Sequence, residues 1–178
     1  MIRFILISLF AFSLQAKSTI VCSITPVYQI TKALLKDVDM PELLIDSQVS
    51  PHGFALKPSD RKLIGKADLV IWIGEGLEVY LAKSLQGKSK SFPLMVNSGV
   101  ELLQFLDGHE HHDDGHDHHH HHSDLEKDPH IWLSVENAKK MATAIHQRLI
   151  DFYDEIEGYR ITRNYLNLIK EFENILYY

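Results

Sequence analysis

Apolar residues in this chain fall into short continuous runs separated by stretches with helical spacing. After residue 17 the order is TIVCSI, a helix-like segment from Pro26 to Asp37, ELLID, a helix opened by Lys57-Pro58-Ser59-Asp60, and DLVIWIG. Leu77 to Leu85, the apolar segment FPLMV and a His-rich insert come next. Strands alternating with helices predict βαβ units, an α/β fold in which helices flank a parallel sheet.

Local chemistry sharpens the boundaries. Thr25 is expected to cap a helix whose first residue is Pro26, and Gly74 with Gly76 break the chain between strand and helix. Ser134 is expected to cap the next helix, where Val135, Ala138, Met141, Ile145, Leu149 and Phe152 recur at spacings of three and four. His146 flanks that stripe and reads as a solvated residue.

A last helix is predicted from about Tyr159 to Tyr178. Ile161, Tyr165, Leu168, Phe172 and Ile175 form one apolar stripe, and Leu166, Ile169 and Leu176 form a second beside it. Two stripes imply a helix covered on more than one side. With nothing following it in the chain, self-association through that helix is expected.

The first sixteen residues, MIRFILISLFAFSLQA, place one basic residue, Arg3, before an apolar run from Phe4 to Leu14 and a small residue at Ala16. That layout predicts a secretory signal peptide and a periplasmic product, and the run is too short for a stable spanning helix. The chain of 178 residues is 45% hydrophobic, enough for one ordinary core. Its formal charge of −6 becomes −7 without Arg3, which argues against nucleic acid as a partner. Cys22 is the single cysteine, so an intrachain disulfide and a thiolate zinc cluster are both excluded. Its place in STIVCSI predicts a buried packing role.

Histidine carries the candidate chemistry. HEHHDDGHDHHHHH, residues 109–122, holds His109, His111, His112, His116, His118, His119, His120, His121 and His122. Neutral imidazoles ligate Zn²⁺, Cu²⁺ and Ni²⁺, and Glu110, Asp113, Asp114 and Asp117 add potential that concentrates cations. Many alternative ligand sets prevent any one from being preorganised, so several weakly held, quickly exchanged ions are expected. A solvated low-complexity loop and a purification tag are the plainer alternatives. His109-Glu110 begins like the zinc-protease pattern HExxH, but Asp113 stands where the second His belongs, and nothing else here reads as an enzyme.

Two isolated histidines carry a sharper signal. His52 in SPHGFALKPSD lies just beyond a strand, and His130 in DPHIWLS lies before a helix. Both fall at the carboxyl ends of the strands, where open α/β sheets bind ligands, and two imidazoles converging there make half of a tetrahedral site. Either one alone also reads as a hydrogen-bonded loop histidine.

SPHGFALKPSD, then KADLVIWIGEGLE, a His-rich insert and DPHIWLS together resemble the metal ABC-transporter solute-binding proteins, in particular the zinc-uptake, ZnuA-like group. The resemblance covers essentially the whole chain after the leader. It implies one lobe of a two-lobed periplasmic fold joined by a long linker helix, with Zn²⁺ held in the cleft. It further implies that His52 and His130 are the first lobe's ligands, that the insert marks the zinc branch, and that the partner is a zinc ABC permease in the inner membrane. The implied organisation is a signal peptide over 1–16, a metal-binding lobe over 17–156 and the start of the linker helix over 157–178. Val135 stands where the family has Pro, which removes a preset first helical turn. The family's second lobe, with a third His and a carboxylate ligand, has no counterpart here, so the resemblance implies an amino-terminal half. The rival expectation is a standalone zinc buffer or metallochaperone in which the insert is the function.

Overall fold

The computed structural model describes residues 18–103 and 127–175. The leader, the nine insert histidines and Leu176 lie outside the described residues. The elements run β1 (Ile20–Cys22), α1 (Thr25–Leu34), β2 (Glu42–Leu43), α2 (Pro58–Lys66), β3 (Leu69–Trp72), α3 (Val79–Leu85), β4 (Ser91–Pro93), α4 (Leu94–Asn97), α5 (Val135–Ile150) and α6 (Glu155–Ile175). Four strands form one sheet in the order β2-β1-β3-β4, and every pairing is parallel. The α/β expectation is met, with the turn-back in strand order falling between β1 and β3.

Strands β1 and β3 are buried along their whole length, as befits central parallel strands covered on both faces. Cys22 is wholly buried, and burial pushes its thiol up to about 12, so it packs as a small neutral hydrophobe. Met141, Ile145 and Leu149 of α5 are buried in the same core, as the helical spacing predicts. Each such side chain contributes about 1.5–3 kcal/mol by leaving water. FPLMV divides: its first residues belong to β4 and the remainder begins the short α4.

Two caps can be compared with expectation. Ser134 caps α5, its hydroxyl accepting from the Asn137 amide at 3.3 Å. Thr25 does not cap α1. Ile24 holds the capping position, Thr25 is the first helical residue, and its buried hydroxyl has no partner among the described residues. Helix α2 opens with the Lys57 amide donating to Asp60 Oδ2 at 2.8 Å. It closes with Lys90 Nζ reaching the carbonyls of Ile64, Gly65 and Ala67 at 2.6, 3.1 and 3.3 Å.

Helix α6 starts at Glu155, four residues before the expected Tyr159, because Gly158 sits inside the helix rather than ahead of it. It packs on α1 and α5. Ile161 is fully buried, and Tyr165, Leu168, Ile169 and Phe172 lean on the core. The second stripe is split: Ile169 joins the packed face, whereas Leu166 is exposed. His146 departs from expectation as well. Its ring is half-buried under α6, stacked on Tyr165 at 4.4 Å with Nε2 3.0 Å from Thr162 Oγ1.

Candidate metal centre

His52 sits in a 3-10 turn, Pro51–Gly53, in the connection from β2 to α2. Pro51 presets the first φ of that turn, and Ser50 Oγ accepts from the His52 amide at 3.4 Å. His130 precedes a second 3-10 turn, Ile131–Leu133, that leads into α5. Ile131 is buried and anchors this turn in the core.

These two turns bring His52 Nε2 to 3.2 Å from His130 Nε2, with ring centroids 5.3 Å apart. Two nitrogens each about 2.0–2.1 Å from a tetrahedral zinc ion lie about 3.3 Å from one another. The observed spacing therefore equals that of two ligands on one ion, and it equally suits one imidazole donating a proton to the other. The sequence placed both histidines at one rim of the sheet, and the structure brings them together there.

One residue in contact with the pair escaped the sequence reading. Asp128 Oδ1 lies 2.6 Å from His130 Nδ1 and accepts from the His130 amide at 2.9 Å. Those contacts, led by the backbone amide, hold the Asp128 carboxyl below its usual range. A carboxylate can only accept, so Nδ1 of His130 carries the proton and Nε2 turns its lone pair toward His52. This carboxylate–imidazole pairing fixes the tautomer and makes the opposite nitrogen more basic. Its only trace in the sequence is the acid two positions before His130. Trp132 stands edge-on to His130 at 5.2 Å and closes one side of the pair.

The chain leaves for the insert and returns beside this site. Asp128 N donates to Leu103 O at 2.9 Å, and Asn137 of α5 grips Glu101 through Oδ1 and Nδ2, both at 2.9 Å. Among the described residues no group of three or more His, Cys, Asp and Glu side chains is arranged to hold an ion. Two converging imidazoles amount to half of a tetrahedral shell, which needs two further ligands.

The fold is that of the periplasmic metal-binding proteins. The chain superimposes on the Mn-bound periplasmic metal binding protein from candidatus liberibacter asiaticus with a TM-score of 0.71 at 21% identity, covering 89% of this chain and 54% of that one. Zn(II)-bound AdcA from Streptococcus pneumoniae matches with a TM-score of 0.68 at 26% identity, over 89% of this chain and 31% of that one. In sequence, the high-affinity zinc uptake system protein ZnuA of Yersinia pestis is 34% identical over 149 residues, 76% of this chain and 47% of the relative. Its Bacillus subtilis counterpart is 32% identical over 136 residues, 75% of this chain and 42% of the relative. Residues 20–176 match the family described as zinc-uptake complex component A, periplasmic, and the chain belongs to this ZnuA family. It spans about half the length of the curated relatives it matches.

Proposed function

We infer that this chain is a zinc-binding component of an extracytoplasmic zinc ABC uptake system, with His52 and His130 as its cleft ligands. The observation that carries the reading is the 3.2 Å approach of the two Nε2 atoms, with Asp128 holding the far nitrogen of His130. Paired imidazoles favour Zn²⁺ over the harder Mg²⁺, Ca²⁺ or Mn²⁺. The names of the relatives point the same way: several are high-affinity zinc uptake proteins. The family is one of binding components, and in this reading the chain captures its cargo without transforming it. The partner is the zinc ABC permease of the inner membrane, and the compartment is the periplasm, consistent with the signal-like first sixteen residues.

The nine insert histidines belong to the proposal as an auxiliary set that gathers zinc beside the cleft. Leu103 and Asp128, on either side of the segment that carries the insert, are hydrogen-bonded to each other beside His130, so that segment is tethered at both ends to residues flanking this site. The lobe would span residues 17–156, with the linker helix starting near 157.

Zinc titration of three chains tests the reading: the parent, a chain lacking residues 109–122, and His52→Ala/His130→Ala. The shortened chain should keep one ion per molecule and change Trp132 fluorescence on loading. The double variant should keep only weak, multiple binding. If the shortened chain binds no zinc while the double variant binds like the parent, the insert is the function and the buffer reading replaces this one.

A further inference from the structure

Glu78 is a fully buried carboxylate that the histidine pair does not touch. It lies just beyond the end of β3 and reaches backward. Its Oε2 accepts from the Gly74 amide at 2.9 Å and its Oε1 from the Ile73 amide at 3.3 Å. Burial disfavours the charged form of this carboxyl and raises its pKa, and the hydrogen bonds from the Gly74 and Ile73 amides work against that shift. A leucine or methionine would fill the same space without that cost. What the carboxylate adds is a pair of fixed acceptors that clamp the two amides at the start of the turn 73–78. The turn is closed from the other side by the Leu77 and Glu78 amides, which donate to Gly74 O at 3.1 and 3.0 Å.

That turn is a spacer between two other parts. Gly74 has φ +147°, a conformation that side chains rarely adopt, and a Cβ there would stand 3.4 Å from Met95 Cβ. A Cβ on Gly76 would meet Met95 Sδ and Pro129 Cβ, each at 3.7 Å. Gly76 is exposed, yet Met95 and the buried Pro129 are the side chains nearest to it, so the turn runs alongside both, and Met95 is itself tied in by its amide to Ile73 O at 2.9 Å. Pro129 is the residue between Asp128 and His130.

We propose that Glu78 is the positioning residue of the candidate metal centre: by clamping the Gly74–Gly76 turn it seats Pro129, and Pro129 holds Asp128 and His130 in register. The inference deepens the proposed function and rests on His130 being a ligand, but the orientation it assigns to His130 can be measured without metal.

The test uses the full chain labelled with ¹⁵N-histidine, with no added metal, at about pH 8, where an ordinary imidazole is neutral. Wild type should show His130 locked with the proton on Nδ1. Glu78→Gln, which keeps the shape but offers one acceptor for two amides, should shift His130 toward averaged tautomers. The zinc midpoint followed on the His130 resonances should rise by about tenfold or more. Glu75→Gln, a change at the exposed acid of the same turn, should leave both signals unaltered. Should Glu78→Gln fail to fold, Pro129→Gly removes the Cβ nearest the turn with the clamp intact and should release the same tautomer lock. Variants that melt earlier yet keep the wild-type tautomer and zinc midpoint would overturn the proposal, since a merely structural carboxylate gives that result. A wild type whose His130 takes up no zinc, but whose tautomer is still released by Glu78→Gln, would sink the ligand reading and leave this inference standing.

Discussion

Asp128 holds Nδ1 of His130 at 2.6 Å, so that the opposite nitrogen faces His52 as a bare lone pair. Substituting Asp128→Asn keeps an acceptor of the same shape but removes its charge. Zinc affinity of the shortened chain, lacking residues 109–122, should fall roughly ten- to a hundredfold while its melting temperature stays close to the parent's. Competition against a chromophoric chelator measures this, and unchanged affinity would show that Asp128 does not orient the ligand.

The parts legible in the sequence are those encoded within one turn or one period. Ser134 is visible as a cap because its partner Asn137 is three residues away, and the α5 stripe because the core reads it at helical spacing. His52 and His130 are visible as rim residues because both follow recognisable punctuation. What stayed hidden depends on distant partners. The last helix is expected from about Tyr159, yet α6 starts at Glu155 and runs through Gly158, where glycine costs about 1 kcal/mol, to pack on α1 and α5. His146 looked solvated because nothing local shows that α6 will cross it. Asp128 and Glu78 read as ordinary acids until the fold supplied their hydrogen-bond donors.

Asn164 is the clearest long-range contact of this kind. From the buried face of α6 its Nδ2 donates to Leu34 O at 3.0 Å and Lys36 O at 2.8 Å, closing the carboxyl end of α1 from across the layer. Asn164→Ala leaves both carbonyls without this donor and should cost about 1–3 kcal/mol. Asn164→Leu restores bulk but no donor and should not recover the loss. Urea unfolding midpoints decide it, with Ile161→Ala, worth about 2–5 kcal/mol, as the pure packing comparison.

The outer face of α6 carries the opposite kind of signal. Ile156, Tyr159 and Leu166 are 68%, 72% and 62% exposed there, and Ile175, on the core-side stripe but at the far end of the helix, is 59% exposed. The chain should therefore associate with itself as concentration rises. Tyr159→Lys with Leu166→Lys should suppress this without unfolding the lobe, because neither side chain is buried. Light scattering that finds the parent monodisperse and monomeric across the range would refute the expectation.

His146 gives the fold a pH dependence of predictable sign. Thr162 Oγ1 donates to Gly158 O at 2.9 Å, so toward His146 it accepts, and Nε2 of the imidazole, 3.0 Å away, carries the proton. Burial under α6 holds this imidazole below its ordinary value of 6.5. The unfolded chain thus takes up a proton before the folded one does. Stability from this residue is fully present above about pH 6.5 and is lost as pH falls from there toward the lower folded value. Asp128 and Glu101 are held low, the first mainly by the His130 amide and the second by Lys140, whereas burial raises Glu78 and Glu157, so carboxyls add their own pH dependence to parent and variant alike and only the difference between the two reports on His146. His146→Phe keeps a ring to stack on Tyr165 and removes the titration. Its urea midpoint should stay flatter than the parent's between about pH 7 and pH 5, the two curves running parallel at higher pH. Equal slopes through that interval would mean that the folded protein accepts the proton as readily as the unfolded chain, and that α6 does not shield the ring from water.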